Sequence, residues 1–465
     1  MTECNQTLFP FEAHFSRQVV AQFEGSWLTT EGGSLLLRQA DRKIDLLRRV
    51  AHRLEEMLAQ RIYGLALGYE DLNDHEQPRQ DPLLGVLAGK RDLSEPLAGK
   101  STLNRLELTP AGSPAGERYN KIAYAPEAID ELLVTLFLES HRKVPQSIVL
   151  DLDATDTPLH GKQEARFFHG DYNHYCYLPL YIFCGDPLLC ARLRPSNIDA
   201  SAGSREEVER MVTQIRKAWP HTQIILRADS GFCREELMAW CEKHAVDYAF
   251  GFARNPRLRR KIAKEMRQAK KEQQRTGKPA RVFSEFFYQT RKTWSQSRRV
   301  VAKAEQIPGK ENPRYVGTSL SSSAWPAQEL YERLYGARGE MENRIKEQLS
   351  LFSDRMSTES LRSNQLRLYF SSLAYVLVEA LRRVGLAGTE GAELQVETIR
   401  LRLLKIAAQV RITARRIWIR YTKAYPGRTP LSRLGQHCAV EKPPQQNLVS
   451  LSHPPVNYVS TRPKS

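Results

Sequence analysis

The stretch QSIVLDLDAT, residues 146–155, sets apolar and acidic side chains on a period of two. In an extended strand Val149, Asp151 and Asp153 share one side, while Ile148, Leu150 and Leu152 share the other. Two acids therefore stand at the end of an otherwise apolar strand. QIILRADSGF, residues 223–232, repeats the design: Ile224, Ile225 and Leu226 form the strand interior, and Asp229 closes it just before a glycine turn. Functional groups gather at the carboxyl ends of strands in open α/β sheets. A single acid there can be a turn or N-cap residue, so the repetition is what points to a site.

Working outward, YLPLYIFCG (177–185) and LLCARLRPSN (188–197) read as two more strands, followed by the helix SREEVERMVTQIRKAW (204–219). After the Asp229 strand come the helix REELMAWCEKH (234–244) and the strand DYAFGFARN (247–255). Three meandering strands followed by helix, strand, helix and strand give the order of a ribonuclease H-like α/β core, whose first part spans residues 145–255. Residues 1–140 read as a mostly helical region whose helix, turn and short helix could form a DNA-reading, DNA-binding unit. Its helices include the apolar-periodic segment 32–72, a short helix at KSTLNRLELT (100–109) with Ser101 as N-cap, and a helix at 125–143. The segment AGSPAGERYN (111–120) reads as a loop. Residues 256–330 form a basic insertion: one helix, then the alternating stretches RVFSEFFYQT, RRVVAKAEQI and RYVGTSL, which read as antiparallel strands. The second part of the core, 331–430, contains a long helix at 361–384 with Leu366, Phe370, Leu373, Leu377, Leu381 and Val384 on its buried face. The Pro- and Ser-rich tail, 436–465, is expected to be disordered.

Lys and Arg exceed Asp and Glu by 69 to 53 over 465 residues, a formal charge of +16, which favours a polyanionic partner. The excess is concentrated. Arg254–Lys310 carries eighteen Lys/Arg against four Asp/Glu, and Arg400–Arg428 carries nine with no acid, so a long polyanion gripped at two places is expected. Seven scattered cysteines without a CxxC pair argue against a disulfide framework or a zinc site and fit a reducing cytoplasm. The N-terminus lacks the layout of a signal peptide, and no run of about eighteen apolar residues reads as a membrane span.

YGARGEMENRIKEQL, residues 335–349, places Tyr335, Arg338, Glu342 and Lys346 on one face of an α-helix by steps of three, four and four. Taken alone, this is a solvated face with i,i+4 ion pairs. Alongside the strand-end acids it supplies a third carboxylate flanked by cations. Three carboxylates without Cys or His ligands suit Mg²⁺ or Mn²⁺, and such ions suit phosphoryl transfer.

These motifs together resemble the DDE transposases of bacterial insertion sequences, in the branch with a Tyr-x2-Arg-x3-Glu signature, and the resemblance covers roughly residues 15–430. It implies Asp153 (within DLDATDT), Asp229 (within ILRADSGF) and Glu342 as catalytic residues holding two Mg²⁺, with Mn²⁺ able to substitute. It further implies phosphate contacts from Arg338 and Lys346, with Tyr335 positioning the DNA backbone or Arg338. In the insertion, Trp294 among the cations Arg298 and Arg299 would either stack on an unpaired or flipped base or pack the small β module. The partners implied are double-stranded DNA, as terminal inverted repeats and target, and a second copy of the chain in the synaptic complex. The protein is expected in the cytoplasm at the nucleoid. The branch's lysine, seven residues after the glutamate, is replaced here by Leu349. Asp151 shares a face with Asp153, so periodicity does not separate them, and Asp156 reads as a turn residue. A stand-alone nuclease of the same fold, or a DNA-binding repressor without chemistry, are the alternatives.

Overall fold

The computed structural model describes residues 9–22, 29–50, 55–108, 124–422 and 425. At its centre is a nine-stranded mixed sheet, and the architecture is α/β. Across the sheet the strands run Ala280–Tyr288, Arg298–Ile307, Arg314–Thr318, Asp247–Phe252, Gln223–Ala228, Ser147–Ala154, Leu180–Phe183 and Leu188–Arg192, with Lys310–Glu311 paired to Arg298–Ile307. Ser147–Ala154 lies parallel to Gln223–Ala228 and antiparallel to Leu180–Phe183.

Both faces of the sheet are covered at its middle. The helices Pro126–Glu139, Ser204–Ala218 and Glu235–Lys243 bury Val134, Val208, Met211 and Leu237 against Leu150, Leu152, Ile224, Leu226 and Phe250. On the opposite face, Ile225, Ala249, Val301 and Val316 pack against Leu330 and Leu334. Burial on two sides is why the Gln223–Ala228 strand is apolar almost throughout rather than alternating.

Two expected domain divisions come out differently. The strands between 280 and 318 do not make a separate module; they continue the central sheet, because Arg314–Thr318 pairs antiparallel with Asp247–Phe252 and covers what would otherwise be an open edge. The N-terminal region, expected to be mostly helical, begins with a hairpin, Phe9–His14 and Arg17–Gln22. That hairpin joins Ala408–Ile412 and Arg416–Tyr421 in a four-stranded sheet. An isolated hairpin is marginal in water, and here the chain's far end completes it. One apolar core accordingly runs from Val19 to Tyr421. Glu107 reinforces it, accepting from Arg61 at 2.8 Å and from Arg367 at 2.7 Å.

The helix Lys100–Leu108 contains Ser101 rather than being capped by it. The helix Leu361–Ala380 buries Leu366, Phe370, Leu373 and Leu377 as expected. The AGSPAGERYN loop and the 436–465 tail lie outside the described residues. Among the described residues, no helix is long and apolar enough to cross a membrane.

Candidate active site

The parallel register pairs Leu152 with Ala228, so one residue further on Asp153 and Asp229 stand side by side at neighbouring strand ends. Phe250 also pairs with Ala228, which places Gly251 on the other side of Asp229. Asp153 and Asp229 project from the face that carries Asp151 and Arg227, since positions two apart share a side.

The two acids of the first strand have different surroundings. Asp151 is buried and grips Arg227 with both oxygens, the Nη2–Oδ2 contact being 2.7 Å. Arg227 also donates to the carbonyl of Leu334 at 2.5 Å, so this pair ties the sheet to the helical segment above it. Asp153 is only partly buried and lies at the open end of the strand, where its Oδ2 is 3.8 Å from Arg338. Burial pushes the Asp153 carboxyl up to about 6; Arg338 and the Ala154 N–H work against that rise, while the charges of Asp229 and Glu342 add to it. Asp229 accepts from the Gly231 N–H at 2.8 Å, which fixes the turn that follows the strand.

The third carboxylate arrives on a helical run of changing pitch rather than on one regular α-helix. Leu330–Tyr335 is π-helical, Gly336–Arg338 is a 3₁₀ turn, and Gly339–Leu349 is α-helical. The Leu334 carbonyl faces Arg227, and Gly336 and Gly339 weaken the helix at this point, which accounts for the irregularity. The i,i+4 relation survives, with Arg338 3.2 Å from Glu342. The Arg338 guanidinium thus lies between Asp153 and Glu342. The Tyr335 hydroxyl stands over Gly251, where a Cβ would come within 2.5 Å of it. Burial raises the Tyr335 hydroxyl pKa, with Arg338 opposing and Asp229 adding. Lys346 is exposed one turn beyond Glu342 and has no ion-pair partner among the described residues.

Trp294, Arg298 and Arg299 are turned inward in this conformation. Trp294 is 5% exposed and stacks on Phe252, with ring centres 4.8 Å apart. Arg298 is 3% exposed and pairs with Glu235 and Glu242, each at 2.6 Å. Arg299 pairs with Glu285 and donates to the carbonyls of Leu320 and Trp325. Among the cations that face outward, Lys264, Arg267, Lys271 and Arg275 of the preceding helix, Ala263–Thr276, line an open cleft with Arg281 of the adjoining strand. Lys264, Arg267 and Lys271 have no ion-pair partner among the described residues. Their spacing of three and four was the sequence signal for a single cationic face. The exposed aromatic of this segment is Phe287, at 71%, rather than Trp294.

The family model described as "Transposase DDE domain group 1" matches residues 11–439. The chain belongs to this DDE transposase family. It is also similar to a solved structure of a piggyBac transposase synaptic complex with hairpin DNA, at 10% identity and a TM-score of 0.40, covering 85% of this chain and 81% of that one. No curated protein matches the chain.

DDE transposases use divalent metal ions. Asp153, Asp229 and Glu342 are an all-oxygen donor set of the right hardness, and the raised Asp153 carboxyl reflects in part a mutual repulsion that a cation would relieve. Among the described residues no three Asp, Glu, His or Cys groups are grouped closely enough to hold an ion. For Asp153, Asp229 and Glu342 to hold an ion, Arg338 would have to move from between two of them.

Proposed function

We propose that this transposase binds the terminal inverted repeats of its own insertion sequence, cleaves the DNA strands at their ends and joins them to target DNA, working as a homodimer on paired ends. The observation that carries this reading is the meeting of Asp153 and Asp229 at adjacent strand ends with Arg338 linking Asp153 to Glu342. In this reading the sheet from Ser147 to Phe252 is a ribonuclease H-like core, and Asp153, Asp229 and Glu342 hold two Mg²⁺, with Mn²⁺ able to substitute. Ions so held supply an activated water or 3′-hydroxyl and a stabilised leaving oxygen. Arg338 turns from the carboxylates to the phosphate, Lys346 takes the phosphate on the next turn, and Tyr335 orients Arg338 while packed over Gly251.

The test uses purified protein, Mg²⁺ and a plasmid carrying the DNA that flanks the coding region. Strand breaks at the repeat ends and joined products are expected, and EDTA should suppress both. Breaks without joining would favour a nuclease, and binding without breaks would favour a repressor. The cationic cleft carries a separate prediction. Replacing Lys264, Arg267 and Lys271 with alanine should flatten the slope of log affinity against log salt by roughly 0.9 for each phosphate that the cleft no longer neutralises. An unchanged slope would remove the cleft from the DNA path.

A further inference from the structure

Immediately beyond the Asp153 strand, Thr157–Pro158, Phe167–His169 and His174–Tyr177 form a small three-stranded sheet. It is firmly seated. His174 and Asp156 pair at 2.7 Å, Ser196 donates to the Phe167 carbonyl at 3.0 Å, and Tyr177 donates to the Glu164 carbonyl at 2.6 Å. Glu164 in turn accepts from the Leu361 N–H at 2.9 Å. Yet this anchored hairpin carries four of the six exposed Phe and Tyr rings on the described surface: Phe167, Phe168, Tyr172 and Tyr175.

The pairing sets which rings lie side by side. Phe168 lies opposite Tyr175, whereas Phe167 lies opposite the buried Cys176. Phe168 and Tyr175 therefore share the outer face, 53% and 43% exposed, with ring centres 5.6 Å apart and set edge to face. Arg166 lies 4.0 Å from the centre of the Tyr175 ring. The hairpin is tied to the segment that leaves the Asp153 strand: Thr157, four residues past Asp153, pairs with Tyr177, and His174 pairs with Asp156.

A folded chain has no packing reason to leave these rings in water on a rigid element. We propose that Phe168, Tyr175 and Arg166 form a stacking platform for unpaired nucleobases of the DNA strand beside the reacting phosphate. Aromatic faces with an adjacent guanidinium are the chemistry that recognises unstacked bases of any sequence, and the small sheet follows directly on the strand that ends in Asp153. The inference rests on the transposase reading above, since it takes DNA as the occupant.

The test measures fluorescence anisotropy in EDTA with two probes of one sequence, a blunt duplex and the same duplex with a short unpaired 3′ tail. Wild-type protein should prefer the tailed probe by roughly tenfold or more. The Phe168→Ala, Tyr175→Ala double variant should lose that preference and keep its affinity for the blunt duplex, while Phe168→Tyr with Tyr175→Phe should retain it. If the alanine variant melts early, Phe168→Leu with Tyr175→Leu keeps the apolar bulk without the π faces and should lose the preference in the same way. Equal affinity of the wild type for both probes, or an equal loss on both in a stably folded variant, would overturn the platform alone. A DNA-free dimer that the double variant dissociates, with tail preference intact, would assign the face to a second copy. Failure of the wild type to bind either probe would remove the transposase reading as well.

Discussion

Asp153→Ala is expected to lower strand cleavage by on the order of a thousandfold while leaving the folded protein intact, and Asp151→Ala is expected to do the reverse damage. Asp153 is partly buried at the open strand end, and among the described residues its ion-pair partner is Arg338, at 3.8 Å. Loss of a metal-holding carboxylate removes several kcal/mol of charge stabilisation from the reaction, and about 1.4 kcal/mol corresponds to tenfold in rate. Little else depends on its side chain, so thermal unfolding should stay close to wild type. Asp151 is different: it is the counter-charge of the buried Arg227, which also holds the Leu334 carbonyl. Removing one partner of a buried pair strands the other and costs about 3–5 kcal/mol. Unfolding curves and cleavage assays on the two variants decide the matter. A folded, inactive Asp151→Ala beside an active Asp153→Ala would reverse the assignment.

Arg298→Ala is expected to destabilise the protein by a similar amount, about 3–5 kcal/mol, because Glu235 and Glu242 would both lose their shared buried cation. Tyr248 donates to Glu242 at 2.7 Å and Trp294 lies under the Arg298 guanidinium at 5.5 Å, so the loss would spread through this corner of the core. In the fraction that folds, the salt dependence of DNA binding should match wild type. A well-folded Arg298→Ala with a shallower salt slope would return this arginine to the DNA interface.

The sequence made the acids visible because the signals are local. An apolar run ending in Asp153 or Asp229 declares a strand end within ten residues, and Arg338 with Glu342 declares a helix face within two turns. The rest depended on partners far along the chain. Asp151 and Asp153 are indistinguishable by periodicity, and only Arg227, 76 residues away, gives Asp151 its own counter-ion. Trp294, Arg298 and Arg299 read as a basic aromatic patch because Phe252, Glu235 and Glu242 are remote in sequence. The first hairpin was missed for the same reason, since its stability comes from strands at Ala408–Tyr421. The change of pitch before Gly339 follows from a carbonyl held by the sheet below, which helix spacing does not encode.

In the proposed function Asp229, with Asp153 and Glu342, holds a metal ion that acts on DNA. Asp229→Cys replaces a hard oxygen ligand with a soft thiolate, a poor partner for Mg²⁺ and a better one for Mn²⁺. Cleavage of repeat-end DNA by this variant should be lost in Mg²⁺ and recovered in Mn²⁺, with wild-type protein active in both. Full activity of Asp229→Cys in Mg²⁺, or a stably folded variant that Mn²⁺ fails to restore, would contradict the metal-holding role of Asp229.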